Sequence, residues 1–396
     1  MFIVILLLVV SLMHGYLFWR IASLPWLISP ARRKRFWIVA LLIWALFLVG
    51  SVLGHGNGGG FTRVLERLAL DWLGMLFIAA TVMLGLDLLT GFGLWMKGYL
   101  IRLRGAGLVV AGILITIAMV QGMRPPLVVQ HDVLLPDLPP ELDGTMLAVL
   151  SDLHLGSQFG PQWLDERVAQ VQTLQPDIIV LLGDNFEGHS EPDPALLPVL
   201  SGLKAPLGVY AVTGNHEHFS DNNAAISLTK SAGIQWLRDR CLQIRPGLNL
   251  VGVDDLTMHW RNGQSGDFIT PVLAGCPEGV TVLFSHSPLQ VAQAVAAGVD
   301  LMLSGHTHGG QIWPFGYLVK QFYPYLVGRY QLDDMSLIIS RGAGLWGPRM
   351  RLWHRGEILL VSLRSRVGDG LRSQPVHAQQ LMSQGKSLFG WKRLAK

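Results

Sequence analysis

The chain is 396 residues long, half of them hydrophobic, with 15% charged residues and a mean hydropathy of +0.39, which excludes an ordinary soluble protein of this size. Its net charge of +4 averages three regions. Residues 1–121 hold ten Lys and Arg against three acids, residues 122–363 fourteen basic against twenty-three acidic residues, and residues 364–396 seven basic against one acid, so the acidic middle argues against a nucleic-acid binder and suits bound cations.

The apolar excess is concentrated before about residue 122. Met1 to Trp19, Phe36 to Leu53, Leu68 to Leu89 and Ala106 to Val120 each approach the roughly 17–25 residues needed to span a bilayer. Four spans are expected, the fourth short and carrying Gly107 and Gly112. No basic residue precedes the first span and no small-residue cleavage site follows it, so it does not resemble a cleaved signal peptide. The loop after the first span carries Arg20, Arg32, Arg33, Lys34 and Arg35, and that after the third Lys97, Arg102 and Arg104. The second loop has Arg63 and Arg67, and Arg124 follows the fourth span. Basic residues accumulate on the cytoplasmic side, so four spans would put the domain that follows them on the extracytoplasmic side of an inner membrane; an odd number would reverse this.

Arg124-Pro125-Pro126 breaks any helix, and residues 122–144 are expected as a linker, with Leu135 to Pro140 a linker or an edge strand. From Thr145, apolar strands alternate with helical spacing. Strands are expected at Thr145–Leu150, Asp177–Leu182, Gly208–Thr213, Leu248–Val253, Val280–Ser285 and Val299–Leu303, and helices at Pro161–Leu174, Pro194–Leu203 and Asn222–Ala232. This alternation implies an α/β core of largely parallel sheet. Cys241 and Cys276 form no ligand motif; they would pair in an extracytoplasmic domain, but the reading adopted is two ordinary buried thiols. The tail 364–396 ends with Leu388, Phe389, Trp391 and Leu394 among basic residues, a pattern suited to an anionic membrane surface or equally to a solvated segment.

Polar residues recur where strands end: Ser151-Asp152-Leu153-His154, Gly183-Asp184-Asn185, Gly214-Asn215-His216-Glu217, Ser285-His286-Ser287 and Ser304-Gly305-His306-Thr307-His308-Gly309-Gly310-Gln311. Each alone reads as a cap, a turn or a structural histidine; together, at the carboxyl ends of α/β strands, they point to a metal site. Asp152, His154, Asp184, Asn215, His286, His306 and His308 offer carboxylate, amide and imidazole donors without thiolate, a set that suits Mn²⁺, Fe or Zn²⁺. Seven donors exceed the need of one ion and suit two, if a carboxylate bridges.

Motifs D-x-H, G-D, G-N-H-E, a lone His and G-H-T-H in this order resemble the calcineurin-like metallophosphoesterase superfamily, over about residues 145–363. Several spans ahead of such a domain, with G-H-T-H-G-G-Q and a late S-R-G-A-G-L, are similar to its membrane-anchored bacterial members. The resemblance implies a layered α/β/β/α sandwich in which Asp152, His154 and His308 hold one metal, Asn215, His286 and His306 the other, and Asp184 bridges. His216 is then the general acid. The family's G-D-x-x-D reads G-D-N-F-E here, so Glu187 bears on the contact behind the ligands rather than on the bridge. The implied function is hydrolysis of a phosphodiester or phosphoanhydride bond by a metal-bridging hydroxide, on a substrate that is lipid-linked or part of the envelope. The alternatives are a phosphomonoesterase and a non-catalytic membrane adaptor. His14, His55, His131, His189, His354 and His377 fall outside these motifs. His218 and His259 lie in loops that could touch substrate, with surface polarity the favoured reading. Arg341, Arg349, Arg351 and Arg355 could bind a phosphate, although a basic cluster is more often a solvated face or a membrane-facing rim.

Overall fold

The computed structural model describes residues 2–25, 29–53, 60–156, 158–188, 191–218 and 223–366. His55, His189, His377 and the tail beyond residue 366 lie outside the described residues. Among the described residues, four helices are long and apolar enough to cross a membrane: α1 (Phe2–Ala22), α2 (Pro30–Leu53), α3 (Gly60–Leu89) and α4 (Leu100–Met123). The fourth is longer than its sequence pattern predicts. Val10, Leu17, Phe47, Ala69, Leu76, Met83 and Ala111 pack between the helices, while Leu8, Leu12, Leu41, Leu42 and Val109 point outward, as lipid-facing side chains do.

The bundle also encloses charge. Asp87 of α3 lies 2.6 Å from Arg20 Nε and 3.5 Å from Arg104 Nη2, and accepts a 2.5 Å hydrogen bond from Tyr16. Arg104 donates to Ser23 Oγ at 2.8 Å. A carboxylate buried among helices is retained when such partners offset its desolvation.

After the bundle come β1 (Leu127–Leu134), β2 (Met146–Leu150), α5 (Pro161–Gln172), β3 (Ile178–Leu182), α6 (Leu196–Leu200), β4 (Val209–Val212), α7 (Asn223–Ser231), β5 (Gln235–Trp236), β6 (Arg240–Arg245) and β7 (Gly247–Gly252). There follow α8 (Leu256–Arg261), α9 (Thr270–Leu273), β8 (Gly279–Phe284), α10 (Val291–Ala296), β9 (Leu301–Ser304), α11 (Gly316–Val319), β10 (Gly328–Leu332), β11 (Met335–Ile339) and β12 (Glu357–Arg364). They form two six-stranded sheets, ordered β1-β12-β2-β3-β4-β5 and β10-β11-β9-β8-β7-β6. Strands β2 to β5 run parallel, as do β7, β8, β9 and β11; β12, β6 and β10 add the antiparallel pairings.

Alternation along each strand sorts the layers. Val149, Val180, Val212, Leu250, Val282 and Leu303 meet between the sheets. Leu150, Ile179, Leu181 and Ala211 turn the other way, onto Leu164 and Val168 of α5, Leu196 and Leu200 of α6 and Ala225 of α7. Val251, Leu283, Met302 and Leu337 turn onto Leu256, Ile269, Val291 and Ala294. The result is an α/β/β/α sandwich.

Two expectations are corrected. Residues 127–134, expected as linker, form an edge strand parallel to β12 from Leu127↔Glu357 to Leu134↔Arg364. Cys241 and Cys276, expected as free thiols, form a disulfide with Cα atoms 5.5 Å apart, because the chain after α9 returns beside β6.

Candidate metal centre

The seven donor residues all leave the carboxyl ends of parallel strands. Register keeps those ends level, with Leu150 opposite Leu181, Leu182 opposite Val212 and Phe284 opposite Leu303. The first residues of the loops that follow bring donors from both sheets together. Asp152, His154, Asp184, His306 and His308 hold φ between 47° and 69°, a left-handed conformation that costs about 1–2 kcal/mol for a residue with a side chain. Close approach of the loops needs glycine: a Cβ on Gly214 would stand 2.2 Å from Asp184 Oδ1, and one on Gly305 1.9 Å from Ser151 Oγ.

Among the described residues, three groups have donor atoms within 4.8 Å of one another: Asp152, His154 and His308; His154, Asp184 and His216; and Asp184, His286 and His306. Asp184 stands in two of them. His308 Nε2 is 3.4 Å from Asp152 Oδ1 and 3.2 Å from His154 Nε2, and His286 Nε2 is 3.2 Å from Asp184 Oδ2.

Hydrogen bonds fix which ring atoms face inward. His286 Nδ1 lies 2.7 Å from Leu182 O, and a carbonyl can only accept, so Nδ1 carries a proton and Nε2 is the ring atom left to face Asp184. The same logic applies to His216, whose Nδ1 donates to Glu187 O at 2.9 Å. His306 Nε2 meets the Tyr323 hydroxyl at 2.8 Å. Asn215 Oδ1, His286 Nε2 and His306 Nδ1 are buried without a hydrogen-bond partner among the described residues. Buried polar atoms are normally satisfied, and imidazole nitrogens gathered with Asp152 and Asp184 fit divalent cations.

Burial and neighbouring charge shape the electrostatics. Burial, reinforced by the neighbouring imidazoles, holds His154 and His308 well below the usual histidine range and brings His306 to about 4, keeping three donors neutral as ligation requires. Burial alone would raise the Asp184 carboxyl, yet His286, His216 and His154 hold it well below the ordinary carboxylate range. Burial pushes Glu187 up to about 8, with Glu66 and Asp184 adding to it; its carboxylate oxygens lie 3.9 Å from His154 Nδ1 and from His216 Nδ1.

Several supporting residues carry no chemical signature of their own. The buried Glu217 carboxylate accepts from the backbone N–H groups of Asp184, Asn185, Phe186 and Gly214 at 2.7–3.2 Å, clamping the loops after β3 and β4. Gln311 donates to Trp346 O at 2.8 Å and Pro348 O at 3.1 Å and accepts from Trp346 N at 3.0 Å. Asn185 is buried beside the bridge candidate with neither side-chain polar atom partnered among the described residues. Sequence reasoning left the roles of Glu217, Gln311 and Asn185 unassigned; all three lie inside the quoted motifs.

The four arginines are committed elsewhere. Arg351, fully buried, donates to the carbonyls of His308, Arg341, Gly342 and Gly344 at 2.6–3.3 Å, and burial lowers it to about 10. Arg341 pairs with Glu357 at 2.6 Å, Arg349 with Asp71 of α3 at 2.5 Å, and Arg355 donates to Pro125 O. His259 turns to its own loop, 2.6 Å from Gln264 Oε1 and stacked on Phe268, while His218 ends the short turn that begins at His216.

Residues 145–310 match the family described as calcineurin-like phosphoesterase. A Bos taurus "transmembrane protein with metallophosphoesterase domain" is 32% identical over 273 residues, covering 65% of this chain and 61% of that one. An Aquifex aeolicus protein named as an uncharacterized metallophosphoesterase is 31% identical over 232 residues, covering 56% of this chain and 87% of that one. The chain thus spans about three-fifths of the bovine relative's length and most of the bacterial one's. A solved Danio rerio dimetal phosphatase is similar at 17% identity and a TM-score of 0.35, over 56% of this chain and 99% of that one.

Proposed function

The chain belongs to the calcineurin-like phosphoesterase family, and from that premise we propose that it is a membrane-anchored dinuclear-metal hydrolase of phosphodiester or phosphoanhydride bonds. The observation that carries the reading is the convergence of buried, unpartnered donor atoms around Asp184. Asp152, His154 and His308 would hold one divalent ion, Asn215, His286 and His306 the other, and Asp184 would bridge. Two such ions would supply an activated water and neutralise charge at phosphorus.

The remaining work falls to side chains. His216, with Nδ1–H spent on Glu187 O, presents Nε2 to the site; when Nε2 also carries a proton, that Nε2 proton passes to the leaving oxygen as the phosphorus–oxygen bond breaks. Glu217 and Arg351 hold the ligand-bearing loops at their fixed spacing. The commitment of Arg341, Arg349, Arg351 and Arg355 to other partners favours a diester over a monoester, whose second negative charge those guanidinium groups do not meet. Against an adaptor role stands the full complement of seven donors and His216.

The test is hydrolysis of bis(p-nitrophenyl) phosphate by the purified full chain with Mn²⁺, abolished by chelator and by Asp184→Ala. Full activity in that variant overturns the reading.

The catalytic domain belongs, in this reading, on the extracytoplasmic side of an inner membrane. The basic loops after the first and third spans support it, and so does the Cys241–Cys276 disulfide, since such bonds persist in oxidising compartments. Alkaline phosphatase fused after Leu127 should be active, whereas fluorescence there from a reporter that matures only in the cytosol refutes the placement.

A further inference from the structure

The domain does not hang from the helices on a tether. Arg351 N donates to Ala118 O of α4 at 2.9 Å, Trp353 N donates to Gln121 Oε1 at 2.8 Å, and Arg349 pairs with Asp71 of α3. Ile312, Met350 and Leu352 share one apolar cluster with Ile78 and Phe77 of α3 and Ile115 and Ala118 of α4, and Phe315 meets Phe77 edge-on at 6.0 Å. Counted from the turn joining α3 to α4 at about 1.5 Å per residue, Phe77 lies about 18 Å and Ile115 about 22 Å along their helices, inside the roughly 30 Å of a hydrocarbon core. Asp71, about 27 Å along by the same count, falls near its outer boundary. The residues against Phe77 and Ile115 therefore sit at bilayer depth.

Around those contacts the domain exposes Trp313, Phe315, Tyr317, Leu318 and Phe322 on the segment containing α11, and Trp346 and Trp353 on the facing loop. An apolar patch of this kind is a liability in water, whereas aromatic side chains at a membrane boundary act as anchors. Between the two segments runs a groove of about 250 Å³, apolar at Trp313, Tyr317, Leu352 and Trp353 and basic at Lys320 and Arg341, with His308 of the metal centre among its lining. It thus joins an aromatic surface to a ligand-bearing loop.

We propose that this groove is a hydrocarbon-chain subsite open to the bilayer, through which the acyl or prenyl chain of an amphiphilic phosphoester stays in the membrane while its phosphate reaches the metal centre. The inference rests on the phosphodiesterase reading and adds the substrate class and its direction of entry. Continuity of the groove's aromatic rim with the apolar surface of α3 and α4 identifies the bilayer as the source of the chain.

The experiment compares p-nitrophenyl hexadecyl phosphate with p-nitrophenyl methyl phosphate, using the full chain with Mn²⁺ in nanodiscs of phosphatidylcholine and phosphatidylglycerol. The hexadecyl ester should be preferred in kcat/KM, and Tyr317→Glu and Trp353→Glu should each cut that preference at least tenfold. Equal rates on both esters overturn the subsite and leave the phosphodiesterase reading standing; hydrolysis of neither overturns that reading and the subsite with it. A second measurement is independent of turnover: a diazirine-bearing hexadecyl phospholipid in the same discs should label residues 312–322 and 346–353 on irradiation, and labelling confined to α1–α4 overturns the proposal.

Discussion

The chain buries charge in two places and treats it in opposite ways. In the helical bundle, Asp87 is surrounded by Arg20, Arg104 and Tyr16, so that its carboxylate is answered from within the protein. At the strand ends, Asp152 and Asp184 stand among five histidines, and Asn215 Oδ1 and His306 Nδ1 are buried without a hydrogen-bond partner among the described residues. A polar group that only holds a fold together is satisfied by that fold. The bundle too leaves single atoms without a hydrogen-bond partner among the described residues, such as Trp72 Nε1 and Arg104 Nε, but these are N–H donors that cannot ligate a cation. The convergence of electron-pair donors on two carboxylates, rather than burial or an unmet hydrogen bond alone, separates the two places.

The largest expected effect tests whether that convergence is chemical. His216→Ala should lose about 10²–10⁴ in turnover while keeping its metal content by elemental analysis; a parallel fall in both would make His216 a ligand. Next, the strand ends should respond to cation where the bundle does not. Mn²⁺ at a thousand times its Kd should stabilise the full chain by about 4 kcal/mol, read as a rise in melting temperature that Asp184→Ala abolishes and Arg104→Ala retains. The Arg349–Asp71 pair should behave as architecture: Arg349→Ala is expected to cost about 2 kcal/mol, discounted from the usual cost of breaking a buried pair because the arginine side chain is 31% exposed, without lowering Mn²⁺ affinity.

The smallest effect concerns Glu187. Its carboxyl, pushed up to about 8, keeps a proton that the unfolded chain releases above about pH 4.5. Folded metal-free protein therefore loses stability as pH rises between those values. Glu187→Gln should be the more stable form at pH 8, by roughly 1–2 kcal/mol given the 19% exposure of that side chain, and the difference should vanish by pH 4.5. A thermal melt at the two pH values, in chelator, reads it directly.

Legibility followed sequence distance. The side chains that meet at the strand ends were visible because each sits within a few residues of an apolar strand, so the local pattern of strand then polar turn carried the signal. Edge strand β1 was not visible: it alternates polar and apolar residues after a proline break, and its partner β12 lies some 230 residues on. The disulfide pairs Cys241 on β6 with Cys276 beyond α9, across two loops that pattern alone cannot fold. Arg351 and Arg349 looked like a basic rim because composition makes arginine a surface residue; their partners, His308 O and Asp71 Oδ2, come from separate elements. Glu217 lay in plain sight within G-N-H-E, but a carboxylate that accepts from four amides can be told from a catalytic one only once the loops are seen around it.

Arg351 deserves one last consequence. Its amide is fastened to α4 and its guanidinium to the carbonyl of His308, so the metal centre rides at a fixed height above the helices and cannot roam as a domain on a stalk would. A substrate dissolved in the surrounding medium would be met in three dimensions, at a rate set by its molarity. One carried in the membrane would be met in a plane, and its turnover should follow mole fraction in that plane, falling when inert lipid dilutes it at constant total amount.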